Sequence, residues 1–284
     1  MASQEQQQQN QHQRRHQPRW SIADLDFSRI DLRRVRNDEN TFYLVACASF
    51  VESGSDLYTH NLLDFFSDNA EVATWLREEW EVEELQHGRA LRAYVEHVWP
   101  EFEWQSAYDS FLAEYATYCK VELLEPTKAL EMAARCVVET GTATYYRALS
   151  RSVKEPVLRD LAARISNDEV NHYKHFYRYF RQYREREGIG RSRVLGTLSR
   201  RTLEMRNEDA DCAIRHVLKF RDPERADDTA YLRELSTRMS ATVRTNLTPE
   251  MTLKMIMRPL ELPPRIQTWV QYPIQQLMQH VFLR

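Results

Sequence analysis

This 284-residue sequence predicts an all-α protein, a bundle of four long helices with additional peripheral helices, and three observations carry that expectation. Only 6 glycines occur. Strand-rich folds need glycine at their turns, whereas a helix interior loses stability where glycine enters it, so the scarcity favours helix. No stretch sustains a period-two alternation with β-branched enrichment, so no strand is predicted. Four long segments read as helices bounded by capping residues or prolines. The length also suffices to bury a substantial core.

In chain order, residues 38–63 read as a first helix that opens on the apolar run TFYLVACASFV. A second begins at SDNAEVATW, with Ser67, Asp68 or Asn69 as its cap and Glu71 in its first turn, and runs to Pro100. The shorter amphipathic piece WQSAYDSFLAEYATYC follows. Pro126 is assigned to the first turn of a third long helix, PTKALEMAARCVVETGTATYYRALS. Pro156 opens a fourth, which stops near Gly188 and Gly190. From about residue 190 the helical pattern is less regular and is interrupted by Pro223, Pro249, Pro259, Pro263 and Pro264. This part is expected to be a C-terminal extension packed on the bundle, within a single domain over 20–284. Residues 1–19, rich in glutamine, are expected to form a disordered tail. The stretch GIGRSRVLG lacks the preceding strand and the spacing of a nucleotide loop.

Composition narrows the function classes. A net charge of -3 with 29% charged residues does not mark a nucleic-acid binder. Cys47, Cys119, Cys136 and Cys212 form no CxxC pair, which argues against a zinc ribbon, a rubredoxin-type iron site or a disulfide framework and favours reduced thiols. The apolar stretch Thr41 to Val51 is too short to span a bilayer, and the N-terminus has no apolar secretory segment, so a cytoplasmic protein without membrane association is expected.

The chemistry is carried by Glu52, then Glu84-Leu-Gln-His87, then Glu139, then Glu169-Val-Asn-His172. Helical positions i and i+3 share a face, so each ExxH aims a carboxylate and an imidazole at one point. One glutamate from each of two helices plus ExxH from each of two others is the ligand set of dinuclear carboxylate bundles of the ferritin-like type. Two ExxH occurrences alone would be a weak signal; the order E, ExxH, E, ExxH on four long helices is the specific one. Trp80, Glu84, His87 and Leu91 form one stripe, Ile165, Glu169, His172 and Phe176 a second, and Cys136, Glu139, Thr142 and Tyr146 a third. Three of the glutamates therefore fall where core residues are expected, and an unpaired charge there is costly. Oxygen and imidazole donors suit two iron ions, with manganese as the alternative. Glu78, Glu79, Glu81 and Glu83 read as solvated helix-face charges, and an ordinary role is expected for His175.

At these residues the sequence resembles the soluble acyl-carrier-protein desaturase family of diiron enzymes. WLREEWEVEELQHG is similar to that family's helix ending in EExxHG (Glu83, Glu84, His87, Gly88), NDEVNH to its DExxH (Asp168, Glu169, His172), and ETGT to its third metal helix; ELPPRI, Glu261 to Ile266, is a weaker echo. The resemblance implies that Glu52, Glu84, His87, Glu139, Glu169 and His172 are metal ligands. It implies further that Thr142 lines the oxygen side, that Asp168 orients a ligand histidine and that Trp20 lies on a route for electron delivery. The implied activity is O2-dependent desaturation of a fatty acyl group, in a homodimer, with electrons from a separate donor such as ferredoxin. An acyl carrier protein would need a basic landing site, for which Arg178, Arg181, Arg184, Arg191, Arg193, Arg200 and Arg201 are available. The third metal helix departs from the family pattern: it lacks the Gly-Asn-Thr neighbourhood and carries Tyr145 and Tyr146, which bears on the substrate channel more than on the metal site. Three rivals remain: a diiron hydroxylase or N-oxygenase of small molecules, a ferritin relative that stores iron or scavenges peroxide, and a metal-free interaction bundle. The extra histidine that some such oxygenases carry would fall at Ile165, which counts against the first.

Overall fold

The computed structural model describes residues 18–204 and 209–263. Among them every regular element is helical and no strand occurs. Ten helices of more than one turn are numbered here as α1 (Glu39–Ser53), α2 (Ser55–Phe65), α3 (70–98), α4 (Trp104–Tyr115), α5 (Lys128–Ser152), α6 (Pro156–Glu187), α7 (Arg191–Glu204), α8 (Asp209–Arg221), α9 (Thr229–Asn246) and α10 (Pro249–Met257).

Helix boundaries follow local chemistry. The Asp38 carboxylate accepts from Thr41 N, Asn69 from Val72 N, and Thr127 from Leu130 N, each satisfying an amide that the helix itself leaves open; such a cap contributes ~1 kcal/mol. Pro126 therefore precedes α5 and takes no part in its first turn. Pro156 does open α6, where the buried Glu155 carboxylate accepts from Val157 N and Leu158 N. Gly188, at φ 64°, ends α6 in the left-handed conformation that glycine adopts without steric cost. The helix expected over 38–63 is instead two, because the chain turns at Gly54, whose amide reaches back to Phe50 O and Val51 O.

α3 is a composite. Ala70–Trp75 is α-helical, Leu76–Trp80 is a π turn, and Glu81–Val98 resumes the α-helix. In an α-helix two residues five apart point about 140° away from each other; in a turn closed by i→i+5 bonds they fall on nearly the same side. Trp75 and Trp80 accordingly both set an edge against Phe176 of α6, with ring centroids at 4.9 Å and 5.7 Å.

α5 and α6 run antiparallel, as the contacts Ala129–Glu187, Thr142–Glu169 and Ser166–Ala143 show. α1 and α3 form a second antiparallel pair, and α3 also meets α6. The extension helices are split between these pairs: α7 and α10 lie on α5, α8 lies on α4 and α1, and α9 lies on α5 and α1. Apolar side chains gather into two clusters. One contains Phe42, Phe50, Leu91, Tyr94, Tyr146 and Leu161, and the other Leu76, Trp80, Met132, Cys136, Phe176 and Phe180. Along α3, α5 and α6 the boundary between the clusters falls at Glu84 and His87, at Glu139 and Thr142, and at Glu169 and His172, so the polar residues form a waist between two apolar layers.

The tail expected over 1–19 lies outside the described residues as far as residue 17, as do Pro264 to Ile266 of the C-terminal echo. None of the four cysteines is in a disulfide, and three of them are buried. GIGRSRVLG is the start of α7. No helix among the described residues is long and apolar enough to cross a membrane.

Candidate metal centre

The waist residues converge. One ligand atom from each of Glu52, Glu84, His87 and Glu169 lies within 4.8 Å of the others, and the same holds for Glu84, Glu139, Glu169 and His172. All six predicted residues are brought together, and the two groups share Glu84 and Glu169. Each four-donor group could hold a metal ion, and the carboxylates of Glu84 and Glu169 are common to both.

Both histidines are oriented from behind. His87 Nε2 donates to Asp168 Oδ2 at 3.2 Å, and His172 Nε2 donates to Glu83 Oε2 at 2.8 Å. Carboxylates only accept here, so each Nε2 carries a proton and each Nδ1 points inward. His87 Nδ1 faces Glu169 Oε1 at 3.2 Å and Glu52 Oε2 at 3.7 Å; His172 Nδ1 faces Glu84 Oε1 at 3.0 Å and Glu139 Oε2 at 3.5 Å. The arrangement is crossed. Glu83, just before Glu84 on α3, orients the histidine of α6, and Asp168, just before Glu169 on α6, orients the histidine of α3. The role expected for Asp168 has its geometry here, whereas the reading of Glu83 as a solvated charge is corrected. Glu83 sits at 13% side-chain exposure against His172, because the face of α3 that looks solvated in isolation is covered by α6. The repeated acid-glutamate pair in EExxH and DExxH was the sequence signal that could have found it. Orienting carboxylates of this kind raise the basicity of a ligand histidine and fix its tautomer.

Trp20 extends one of these supports outward. Its indole N–H donates to Asp168 Oδ2 at 2.6 Å, its ring is nearly parallel to His87, and its carbonyl accepts from Gln86 Nε2 at 2.9 Å. Arg19, half exposed, reaches Asp168 at 3.7 Å. Thr142 donates to Glu169 Oε2 at 2.7 Å, and Tyr146 donates to Glu52 Oε1 at 2.5 Å, which leaves Glu52 Oε2 toward His87. Trp80 abuts His172 edge-on.

Whether these residues fit a metal pair is decided by their unmet valences. His87 Nδ1, His172 Nδ1, Glu139 Oε2 and Glu169 Oε1 are buried without a partner in hydrogen-bond geometry. Buried polar atoms are nearly always satisfied, and four orphans divided between the two donor groups are what cations would resolve. Four carboxylates with two neutral imidazoles carry a charge of -4, which two divalent ions neutralise. Without cations the charge must be settled by protons. Burial, then the carboxylates of Glu169 and Glu52, pushes Glu84 well above the usual carboxylate range, and burial pushes Glu139 up to about 8. Burial alone would lower both imidazoles, but Asp168, Glu169 and Glu52 around His87, and Glu139, Glu169, Glu83 and Glu84 around His172, hold them well above the ordinary histidine value. Burial opposes ionisation of Glu169 too, yet the two imidazolium groups hold it below the usual range.

A pH prediction follows. Metal ligation needs both Nδ1 atoms and all four carboxylates deprotonated, so metal uptake at neutral pH must expel protons. Apparent affinity for divalent ions is expected to fall as pH falls below neutrality and to rise toward pH 8, where Glu139 ionises more readily in the free protein. Calorimetric titration in buffers of different ionisation enthalpy measures this; uptake without proton release would contradict it. The orienting carboxylates supply a second prediction. Glu83→Gln keeps a hydrogen-bond acceptor for His172 but removes the charge, and metal affinity is expected to drop roughly 10- to 100-fold, as for other partners of ligand histidines. Competition with a chelator reads the change, and unaltered affinity would reduce Glu83 to a packing residue.

A third cluster, Glu114, Cys212 and His216, also lies within ligating distance. It is a satisfied network instead. Glu114 accepts from Tyr118, His216 and Arg215, which together hold its carboxyl at about 2, and the other nitrogen of His216 meets Ser110. Most of the basic run of α6 and α7 is likewise engaged within the chain. Arg178 pairs with Glu71, Arg181 and Arg184 with Glu261, Arg200 with Glu125 and Arg201 with Glu204, while Arg191 binds the carbonyls of Leu260 and Glu261. Compared with known protein families the chain matches none, and a search of curated proteins returns no match.

Proposed function

We propose that this chain is a ferritin-like dinuclear iron protein that uses O2 to oxidise an organic substrate, with a fatty acyl group, desaturated, as the substrate class the sequence resemblance favours. The observation that carries the reading is the pair of four-donor groups sharing Glu84 and Glu169, with four orphaned donor atoms aimed between them. Nitrogen and oxygen donors without sulfur suit iron or manganese.

Glu52, Glu84, His87, Glu139, Glu169 and His172 would hold two ferrous ions, which would supply the electrons for O2-dependent cleavage of an unactivated C–H bond. The chain's own residues set the conditions. Glu84 and Glu169 hold the two halves at one separation. Asp168 and Glu83 keep each imidazole Nε2 protonated and each Nδ1 directed inward. Thr142, half-buried, holds Glu169 Oε2 by its hydroxyl. The apolar layers on either side keep water out, which strengthens every charge interaction in the waist. Trp20, Asp168 and His87 form a hydrogen-bonded chain beside the half-exposed Arg19, which supports delivery of electrons from an external donor such as ferredoxin on that side. Docking of an acyl carrier protein at the arginine run has weaker support, since six of the seven guanidinium groups already have partners in the chain.

Metal content and O2 reactivity of the purified protein test the reading. About two irons per chain are expected, the stoichiometry of such bundles, with an oxidised-cluster absorption that Glu139→Ala loses. Carrier-bound acyl groups, free fatty acids and small aromatic amines then separate desaturase from oxygenase. A protein that gains neither iron nor absorption on anaerobic ferrous loading would sink the proposal and leave a structural bundle.

A further inference from the structure

We propose that a polar cleft between the start of α1 and α9, remote from the metal centre, binds a free amino acid as its zwitterion, with the carboxylate on Arg238 and the ammonium group on Asn40 and Asp38. The inference shares no residue with the dinuclear iron reading and does not rest on it.

The cleft has a volume of about 480 Å³, in the range of small-molecule sites. Arg238 of α9 lines it, with Asp38, Glu39 and Asn40 at the start of α1 and Arg33 and Arg34 of the short helical turn Leu32–Val35. Every lining side chain is polar, which is unsuited to an acyl chain, so the ligand here is not the substrate proposed above. Asn40 also lies about 18 Å from Glu52 along α1, at the 1.5 Å rise of a helical residue.

Two charges in the lining are left without a counter-ion. Arg33 and Arg34 share Asp31, and Glu39 pairs with Arg221 at 2.6 Å. Arg238 forms no ion pair among the described residues, and its Nε and Nη2 are buried without a hydrogen-bond partner. Asp38 forms none either; its two oxygens accept from Thr41 N and Thr41 Oγ1, which are neutral groups. A positive and a negative group therefore stand apart in one cleft. Asn40 adds a further unmet atom. Its Nδ2 donates to Thr242 Oγ1 at 2.8 Å, and Thr242 in turn donates to Arg238 O at 3.1 Å. The amide is thus fixed one turn from Arg238 on α9, and Asn40 Oδ1 is left buried without a donor. Nε–H and an Nη–H of one guanidinium are the parallel pair that grips both oxygens of a carboxylate. A carboxylate and an amide oxygen are the acceptors that an ammonium group, with its N–H donors only, requires. A simple anion would leave Asn40 and Asp38 unmet, and a simple cation would leave Arg238 unmet. A zwitterion meets both.

The test is a ligand-observed magnetic resonance titration of the full-length protein with L-alanine, run on metal-loaded and on chelator-treated samples. Saturable binding is expected, equal in both samples because no metal ligand is involved. Propionate, which lacks the ammonium group, and L-alaninamide, which lacks the carboxylate, should each bind at least about tenfold more weakly, as loss of a charge-assisted hydrogen bond requires. Arg238→Gln should lose L-alanine binding, and Asn40→Ala should weaken it while leaving propionate unchanged. If Arg238→Gln melts below the wild type, the comparison of L-alanine with its two analogues on the wild-type chain carries the decision. Absence of saturable binding, an analogue that binds as tightly as L-alanine, or affinity kept in Arg238→Gln would each overturn the inference, and none of these outcomes touches the dinuclear reading.

Discussion

Glu169→Ala is expected to abolish binding of both metal ions, whereas substitutions at Glu52 or Glu139 remove a ligand from only one of the two sites. Glu169 belongs to both four-donor groups, accepts from Thr142, and faces both imidazoles. Without it each site falls to three donors, and the remaining shared carboxylate, Glu84, cannot hold two cations alone. Iron per chain is expected to drop from about two to near zero, and the rise in melting temperature on metal loading should vanish with it, because ligand-linked stabilisation requires binding to the native state. The metal-free variant should fold. It loses the carboxylate that the two imidazolium groups hold in its charged form, so its metal-free melting temperature is expected to lie below that of the metal-free wild type, and metal content is compared on folded samples. Metal analysis combined with melting curves, with and without ferrous ion, checks both points. Retention of more than one ion per chain would show that Glu169 is not shared.

Gly88→Ala is expected to be the most damaging substitution among residues that are not ligands. A Cβ at position 88 would lie 2.6 Å from Ser53 Oγ, 2.8 Å from Ser53 N and 2.9 Å from Ser53 Cα. Two of these are backbone atoms, so no side-chain rotation can relieve the clash; α1 and α3 must separate. Overpacking in well-packed interiors costs ~1–3 kcal/mol, and a backbone contact belongs at the upper end. The separation also falls between Glu52 and His87, the neighbours of Ser53 and Gly88, so metal affinity should fall together with stability. Gly54→Ala serves as control. Its Cβ would meet the Tyr115 ring at 3.4 Å in ordinary contact, and its φ of -96° suits any residue. Urea unfolding of the two variants, each with and without metal, should show a large loss for Gly88→Ala and a change under about 1 kcal/mol for Gly54→Ala.

The contrast between these glycines shows how much of the centre was legible in the sequence. Glu84 with His87 and Glu169 with His172 were readable because i and i+3 share a face in any helix, and Glu52 and Glu139 because their order fitted four long helices. All six converge in the structure. Contacts that depend on how two helices lie against each other were not readable. Glu83 looked solvated since nothing in α3 alone says that His172 of α6 covers it. Spacing puts Tyr146 on the stripe of Glu139 and Thr142 but not against Glu52, because that link spans 94 residues. The arginine run carries no sign in its own spacing that Glu71, Glu125 and Glu261 will meet it. The turn at Gly54 and the position of Pro126 ahead of Thr127 were missed for a local reason: capping hydrogen bonds, not residue preference alone, decide which of several adjacent candidates ends a helix.

The π turn at Leu76–Trp80 has a consequence for descent. Such a turn is what a helix becomes when it gains one residue and the flanking segments keep their facings. Upstream, Trp75 still meets Phe176; downstream, Glu84 and His87 still meet their partners, and the surplus residue is absorbed between them. Homologues that diverged before this insertion would lack one residue within 76–80, and their two tryptophans would stand four apart instead of five. Alignments that force the segment into register without a gap would slide every position from Glu81 onward and misassign Glu84 and His87.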